Sequence, residues 1–411
     1  MRPEDLLLAP ELSTDKINQF LKRYGFKDPE AADRNLQLIA EELPIRHILA
    51  RMVKGLLEAA RQSPDPDAAL NHFERLFSNV THRANFLGFL AATPEALEAL
   101  ILICGTSPFS AEILIRNPEY FYWLLDQIGT PWTKPAELYW QEAQQATRKF
   151  EDASQKLHAL ARFKRRELLR IGSRDILKIT GVIGTTTELS NLADAIIESV
   201  YQVCYGALLE RHGIPRYEDH LGHRRDARFT VLAMGKLGAR ELNYSSDIDL
   251  VYVYDGEQGT TESVLPLTSS ISNRDFFAKL AQSITHELSK PTEEGYFYRV
   301  DLRLRPEGSA GPVASALSAC RNYYASWGET FERLALIKAR PAGGLLELGQ
   351  QFCETFRPFV YRKFLDFAAL EEIQEIKTRI EAKLSSRKGS AHHVKLGAGG
   401  IREVEFFVQA L

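Results

Sequence analysis

Cysteine is scarce in this chain. Cys104, Cys204, Cys320 and Cys353 are the only four in 411 residues, and no two form a CxxC pair. That spacing excludes a disulfide framework and a thiolate zinc site, and it leaves buried or free thiols of a reduced, cytoplasmic protein. No run of 18 apolar residues occurs, so nothing in the sequence reads as a membrane span. The opening MRPEDLLLAPEL places Glu4 and Asp5 where a signal peptide would be basic and then apolar. Net charge is nearly absent as well: 51 Lys and Arg against 54 Asp and Glu give −3. A general nucleic-acid or anionic-membrane binder is therefore excluded. There is no GxxxxGK[ST] phosphate loop, no short repeat and no low-complexity tract.

What is present is ordinary globular material, 45% apolar and 26% charged. At about 100–200 residues per domain, two to three domains are expected, with ample core. Residues 1–215 read as a helical N-terminal domain. Apolar residues recur at three- and four-residue steps in LQLIAEELPIRHILARMVKGLLEAA (36–60) and IIESVYQVCYGALLERHG (196–213). Pro and Asp clusters such as SPDPD (63–67) punctuate the helices. The segment LARFKRRELLRIGSRDIL (160–177) carries Arg162, Lys164, Arg165, Arg166, Arg170 and Arg174. It reads as a solvated helix face, or alternatively as an electropositive wall toward a phosphate or acidic partner.

The pattern changes over 216–312. RFTVLAM (228–234), IDLVYVYD (248–255) and YFYRVDLRLRP (296–306) read as strands, with a helix at NRDFFAKLAQSITHELSK (273–290). The fold class is α+β: a mostly helical chain around a small mixed core. Helices return over 313–411, notably FLDFAALEEIQEIKTRIEAKL (364–384) and a closing helix after Gly399-Gly400. The end, IREVEFFVQAL, is apolar to its last residue without a cap, the layout expected of a fragment of a longer chain.

The chemistry is concentrated in VLAMGKLGARELNYSSDIDLVYVYD (231–255). A strand ends at Met234, Gly235 and Lys236 turn the chain, and a second strand opens on Asp247-Ile248-Asp249. Alternation along a strand puts Asp247 and Asp249 on one face. Two such carboxylates repel unless a cation lies between them, and hard oxygen ligands suit Mg²⁺ or Mn²⁺. In the third strand, alternation puts Asp301, Arg303 and Arg305 on one face. Three carboxylates can hold two metal ions for an in-line phosphoryl displacement, and the arginines suit phosphate. Either arginine could instead pair with an acid across the sheet. The rival for the DxD pair is a glycosyltransferase site, which the order of Gly turn then DxD disfavours. Of the ten histidines none is assigned; His392-His393 reads as a solvated loop.

MGKLGARELNYSSDIDL, YRVDLRLRPEGSAGP, ERLALIKARPAGG and GAGGIREVEFFVQ resemble, in order, the motifs of the bifunctional glutamine synthetase adenylyltransferase/adenylyl-removing enzymes. The likeness is strong over 225–411 and looser in the helical region before it. It implies a polymerase-β-like nucleotidyltransferase core flanked by helical domains, in bacterial cytosolic chains about twice this length with two related halves. The wording ERLALIKAR is similar to the amino-terminal half, which removes AMP from a tyrosine of glutamine synthetase by phosphorolysis, giving ADP.

By the same resemblance Asp247, Asp249 and Asp301 are catalytic and bind metal. Gly235, Lys236, Ser246, Arg303, Arg305, Lys338 and Arg340 lie on the nucleotide and phosphate side. Where many relatives in the wider superfamily have Gly-Ser, this chain has Gly235-Lys236. Glu403 and Glu405 match an acidic pair with either an active-site role or a place on a salt-bridged helix surface. The implied partners are glutamine synthetase, the PII signalling protein, the carboxy-terminal adenylylating half, and phosphate or ADP. Adenylylation from ATP, or a silent module binding glutamine synthetase or PII, are the alternatives.

Overall fold

The computed structural model describes residues 1–411 apart from 10–11, 131, 263–268, 362–373, 376, 379–393, 396, 398 and 411. Most of the expected helix 364–384, together with His392 and His393, lies outside the described residues. The architecture is α+β, mostly helical with two small sheets. The chain divides into two compact units, Met1–Pro135 with Arg162–Leu189, and Ala136–Ala161 with Ser190–Leu411.

The first unit is helical: α1 (Asp5–Leu8), α2 (Thr14–Lys22), α3 (Pro29–Ile39), α4 (Leu43–Gln62), α5 (Pro66–Ser78), α6 (Arg83–Ala92), α7 (Pro94–Thr106), α8 (Pro108–Arg116) and α9 (Tyr120–Ile128). Local chemistry sets several starts. Asp28, Asp65 and Ser107 each accept a backbone N–H three residues on, and each precedes a proline at the first helical position. There the missing N–H costs nothing. Leu36, Leu49, Val53, Leu56, Phe73, Leu100 and Leu114 fill the core and are fully buried. Each contributes about 1.5–3 kcal/mol of transfer free energy.

After α10 (Ala136–Thr147), the long helices α11 (Ala153–Ile176) and α12 (Val182–His212) each contribute residues to both units. The cationic face of α11 does not stay in water. Arg170 donates to Glu167 at 3.0 Å and to Glu188 at 3.1 Å, and Lys134 meets Glu167 at 3.2 Å. All four are buried. Arg174, also buried, donates to the carbonyls of Gln127 (3.1 Å) and Thr130 (2.6 Å), satisfying acceptors at the end of α9. Arg166 lies 4.9 Å over the Trp123 ring. The solvated-face expectation therefore fails for Arg170 and Arg174. Burial recruited the cations as partners for two desolvated glutamates, because a buried charge persists only when paired.

The second unit holds β1 (Ile214–Glu218), β2 (Arg224–Asp226), β3 (Phe229–Met234), α13 (Gly235–Gly238), β4 (Ile248–Tyr254), β5 (Thr260–Glu262), α14 (Asn273–Ser289), β6 (Val300–Asp301), β7 (Ala314–Ala316), α15 (Leu317–Ser326), α16 (Thr330–Leu336), β8 (Arg340–Gly344) and α17 (Leu346–Val360), then the helix Ile401–Ala410. The larger sheet runs β6-β4-β3-β8, with β7 also on β4. β3 and β4 are antiparallel, pairing Phe229 with Tyr254 and Met234 with Asp249. One face carries Phe229 and Tyr252, in a stack with Tyr201 of α12 and Phe277 of α14. The other carries Leu232, Met234, Val251 and Val253 against α15 and α17. Both faces are thus core, and only the end of β4 at Asp249 opens toward solvent.

The third expected strand is shorter than its alternation suggested. β6 ends at Asp301, because the Arg303 N–H turns back to the Asp301 carboxylate at 2.9 Å. This side-chain turn competes with a further ladder. Among the described residues one helix, α12, is long and apolar enough by length and composition to cross a membrane. However, Leu192, Ile196, Ile197 and Val200 on it are buried in protein, and Glu188, Asp194 and Glu198 interrupt it, so it is a core helix.

Two measurements check these energetics. Removing one member of the buried ion cluster leaves an uncompensated charge, so Arg170→Met should destabilise the first unit by about 3–5 kcal/mol in chemical denaturation. A loss below about 1 kcal/mol would show the pair to be dispensable. Burial pushes the Glu198 carboxyl from its ordinary 4.5 up to about 7, against hydrogen bonds from the Gly344 N–H and the Gln202 amide. The folded state then holds a proton that the unfolded state releases, so stability falls as pH rises from about 4.5 to 7. Glu198→Gln should therefore raise the melting temperature relative to wild type more at pH 8 than at pH 5; an equal difference at both would show that Glu198 does not titrate in this range.

Candidate active site

The site is built where β3 ends and β4 begins. Parallel pairing of β4 with β6 places Asp249 beside Asp301. Antiparallel pairing with β3 places it opposite Met234, just before Gly235. Gly235 has φ +54°, the left-handed region, and a Cβ there would collide with the Asp249 carboxylate. The glycine is required twice, by conformation and by the approach of Asp249. The expected turn at Gly235-Lys236 is a single helical turn, α13.

The three aspartates have different surroundings. Asp249 is half-buried, and burial first, then the charges of Asp301 and Asp247, push its carboxyl above the ordinary range. Asp301 is held below it, chiefly by hydrogen bonds from the Arg303 side chain. Asp247 is exposed and accepts from Arg299 Nε at 2.5 Å. Charge on Asp249 is thus costly as it stands, with Asp301 its ladder neighbour and Asp247 two residues before it at the same strand end. This chemistry fits a hard divalent cation. In the present side-chain positions Asp247 and Asp301 face arginines, and among the described residues no group of three acidic, histidine or cysteine side chains is close enough to hold a metal.

The expected cations separate into two kinds. Among the described residues, Arg303 is exposed and pairs only with Asp301, and Lys236 is half-exposed with no ion pair. Both are open to an anion. Arg305 instead donates to the carbonyls of Leu302, Ser309, Gly311 and Pro312, pinning the loop after Asp301. It does not share the face of Asp301 as alternation implied, because the strand has already ended. Arg340 donates to Asp194 and to the carbonyls of Leu237 and Gly238. Lys338 reaches Glu405 at 2.9 Å and Glu241 at 3.7 Å, which brings the closing helix to the site's margin. Glu403 accepts from the Gly399 N–H (3.0 Å) and Lys377 (3.3 Å) at the helix start. Ser246 is half-buried in the loop before Asp247.

Sequence reasoning missed Arg299 and Asp194. Arg299 stands inside the motif around Asp301, two residues before it, so its spacing offered a signal. Asp194 lies 146 residues from Arg340, and nothing local marks the pair.

A family model for glutamate-ammonia ligase adenylyltransferase matches residues 97–355, and one for GlnD PII-uridylyltransferase matches 369–411. The bifunctional glutamine synthetase adenylyltransferase/adenylyl-removing enzyme of Thioalkalivibrio sulfidiphilus is 39% identical over 315 residues, covering 76% of this chain and 31% of the relative. That of Pseudomonas aeruginosa is 39% identical over 329 residues, covering 79% and 32%. That of Psychromonas ingrahamii is 36% identical over 344 residues, covering 84% and 35%. The match covers about a third of the length of these relatives. With the family model covering most of the chain, including every element from β1 to β8, this protein belongs to the glutamate-ammonia ligase adenylyltransferase family.

Proposed function

We propose that this chain removes AMP from the modified tyrosine of glutamine synthetase by phosphorolysis, releasing ADP. The observation that carries the reading is the register that sets Asp249 beside Asp301 and against the Gly235 turn, within a chain of this family. On this reading the core around β3, β4 and β6 is a polymerase-β-like nucleotidyltransferase core. Asp247, Asp249 and Asp301 would hold Mg²⁺ or Mn²⁺, which when bound supplies Lewis-acid stabilisation of the reacting oxygens.

The chain's own residues do the rest. Inorganic phosphate is already ionised at neutral pH, so its attack needs no general base. It does need positive charge on its path, because one anion approaches another beside three carboxylates. Arg303 and Lys236 are placed to supply it. Gly235 lets backbone N–H groups near the phosphates. The partners on this reading are glutamine synthetase, PII and the adenylylating half of the longer protein, in the cytoplasm.

Mixing the chain with AMP-modified glutamine synthetase, Mg²⁺ and phosphate should release ADP. Asp249→Asn should lower the rate about 100-fold or more, with the fold kept and a melting temperature no lower than wild type, since like-charge repulsion is relieved. Release of AMP at a rate independent of phosphate would make the enzyme a hydrolase. Formation of modified synthetase from ATP, with pyrophosphate, would assign the opposite direction. The two arginines should separate cleanly. Arg303→Ala should raise the phosphate concentration needed for half-maximal rate, a charged hydrogen bond being worth about 1.5–3 kcal/mol. Arg305→Ala should lower the melting temperature instead, because it releases the loop 302–312; the reverse assignment of effects would refute this division.

A further inference from the structure

We infer that Asp194, Asn191 and Ser190 of α12 are positioning residues for the transfer site, fixing the turn and loop that run from Gly235 to Leu242. The inference rests on the transfer reading above for what is positioned, and on hydrogen bonds alone for how. The loop between β3 and β4 has little structure of its own. α13 is one turn long, so its last carbonyls take donors from outside it: the Arg240 N–H reaches Leu237 O at 3.1 Å, and further donors come from one side chain. Arg340 supplies them: Nε donates to Gly238 O at 3.1 Å and a terminal nitrogen to Leu237 O at 2.8 Å. Asp194 in turn fixes Arg340 through two bonds of 2.8 and 3.0 Å, the fork geometry of a bidentate pair.

The same helix face then holds the next stretch. Asn191 accepts from Arg240 at 2.7 Å, at a residue in the left-handed region with φ 59°. Ser190 accepts from the Leu242 N–H at 3.2 Å. Positions 190, 191 and 194 share one face of a helix by their spacing. Ser190 and Asn191 are buried, and burial pushes the Asp194 carboxyl up while Arg340 and Arg240 pull it down. A Cβ on Gly238 would collide with the Lys338 carbonyl, so the strand bearing Arg340 is pressed against the turn. None of the three α12 residues lies among the aspartates. They act through the backbone that carries Gly235 and Lys236.

Two readouts test this on the full chain. Asp194→Asn should speed hydrogen exchange of the backbone amides of 235–242, with those of β4 at 251–253 unchanged. It should also lower kcat for ADP release about 100-fold, as a displaced reacting geometry does, while KM for phosphate changes less than twofold. Ser190→Ala, a smaller change that keeps the Asp194–Arg340 pair, should show the same pattern at reduced size and serves if Asp194→Asn does not fold. A lowered melting temperature with unchanged kcat and unchanged exchange at 235–242 would reduce the three residues to ordinary packing. If wild type releases no ADP, the transfer reading fails, and the exchange comparison still decides whether the helix face holds the loop.

Discussion

The antiparallel register of β3 and β4 governs everything near the site. Because Met234 faces Asp249, the first residue beyond β3 meets a carboxylate, and only glycine fits there. Because β4 also carries β6 in parallel, the second carboxylate, Asp301, arrives at the same level. A slip of one residue would turn Asp249 to the face of Phe229 and Phe277, into an aromatic layer with no partner for its charge. The stack of Tyr201, Phe229, Tyr252 and Phe277 on one face, and Leu232, Val251 and Val253 on the other, therefore fixes the chemistry as well as the fold.

Charge is handled differently at three depths. In the first unit, Glu167, Arg170 and Glu188 are buried and paired, so their strengths cancel locally. Around Asp194 and Arg340 a half-buried pair is used for geometry. At the strand ends, burial and the neighbouring Asp301 and Asp247 disfavour charge on Asp249, which Lys395 and the exposed Arg303 only partly offset. Electrostatic cost thus falls as water becomes available, and reactivity rises with it.

Much of this is legible from the residues. β-branched and aromatic runs mark β3 and β4, and the acids at Asp247, Asp249 and Asp301 stand out against them. Two features mislead. LRLRP after Asp301 has strand periodicity, but Arg303 and Arg305 find nearer acceptors in the Asp301 carboxylate and in loop carbonyls, and the ladder stops. The cations of α11 resemble a solvent face by composition, and their positions say otherwise. Arg166, Arg170 and Arg174 recur at four-residue steps beside Phe163 and Glu167, the spacing of an inward stripe. Arg340 and Asp194 carry no such signal, since their meeting depends on the sheet already being assembled.

The loop that follows Asp301 takes its shape from a single side chain. With the Arg305 guanidinium spread over four main-chain carbonyls, the segment 302–312 is already ordered before any ligand arrives. Ordering a free loop on binding costs roughly 1–2 kcal/mol for each backbone residue. Here that entropy is lost during folding, so on the proposed transfer reading a substrate would meet a lip already held by hydrogen bonds, without the loop-closure penalty that a flexible lid would impose.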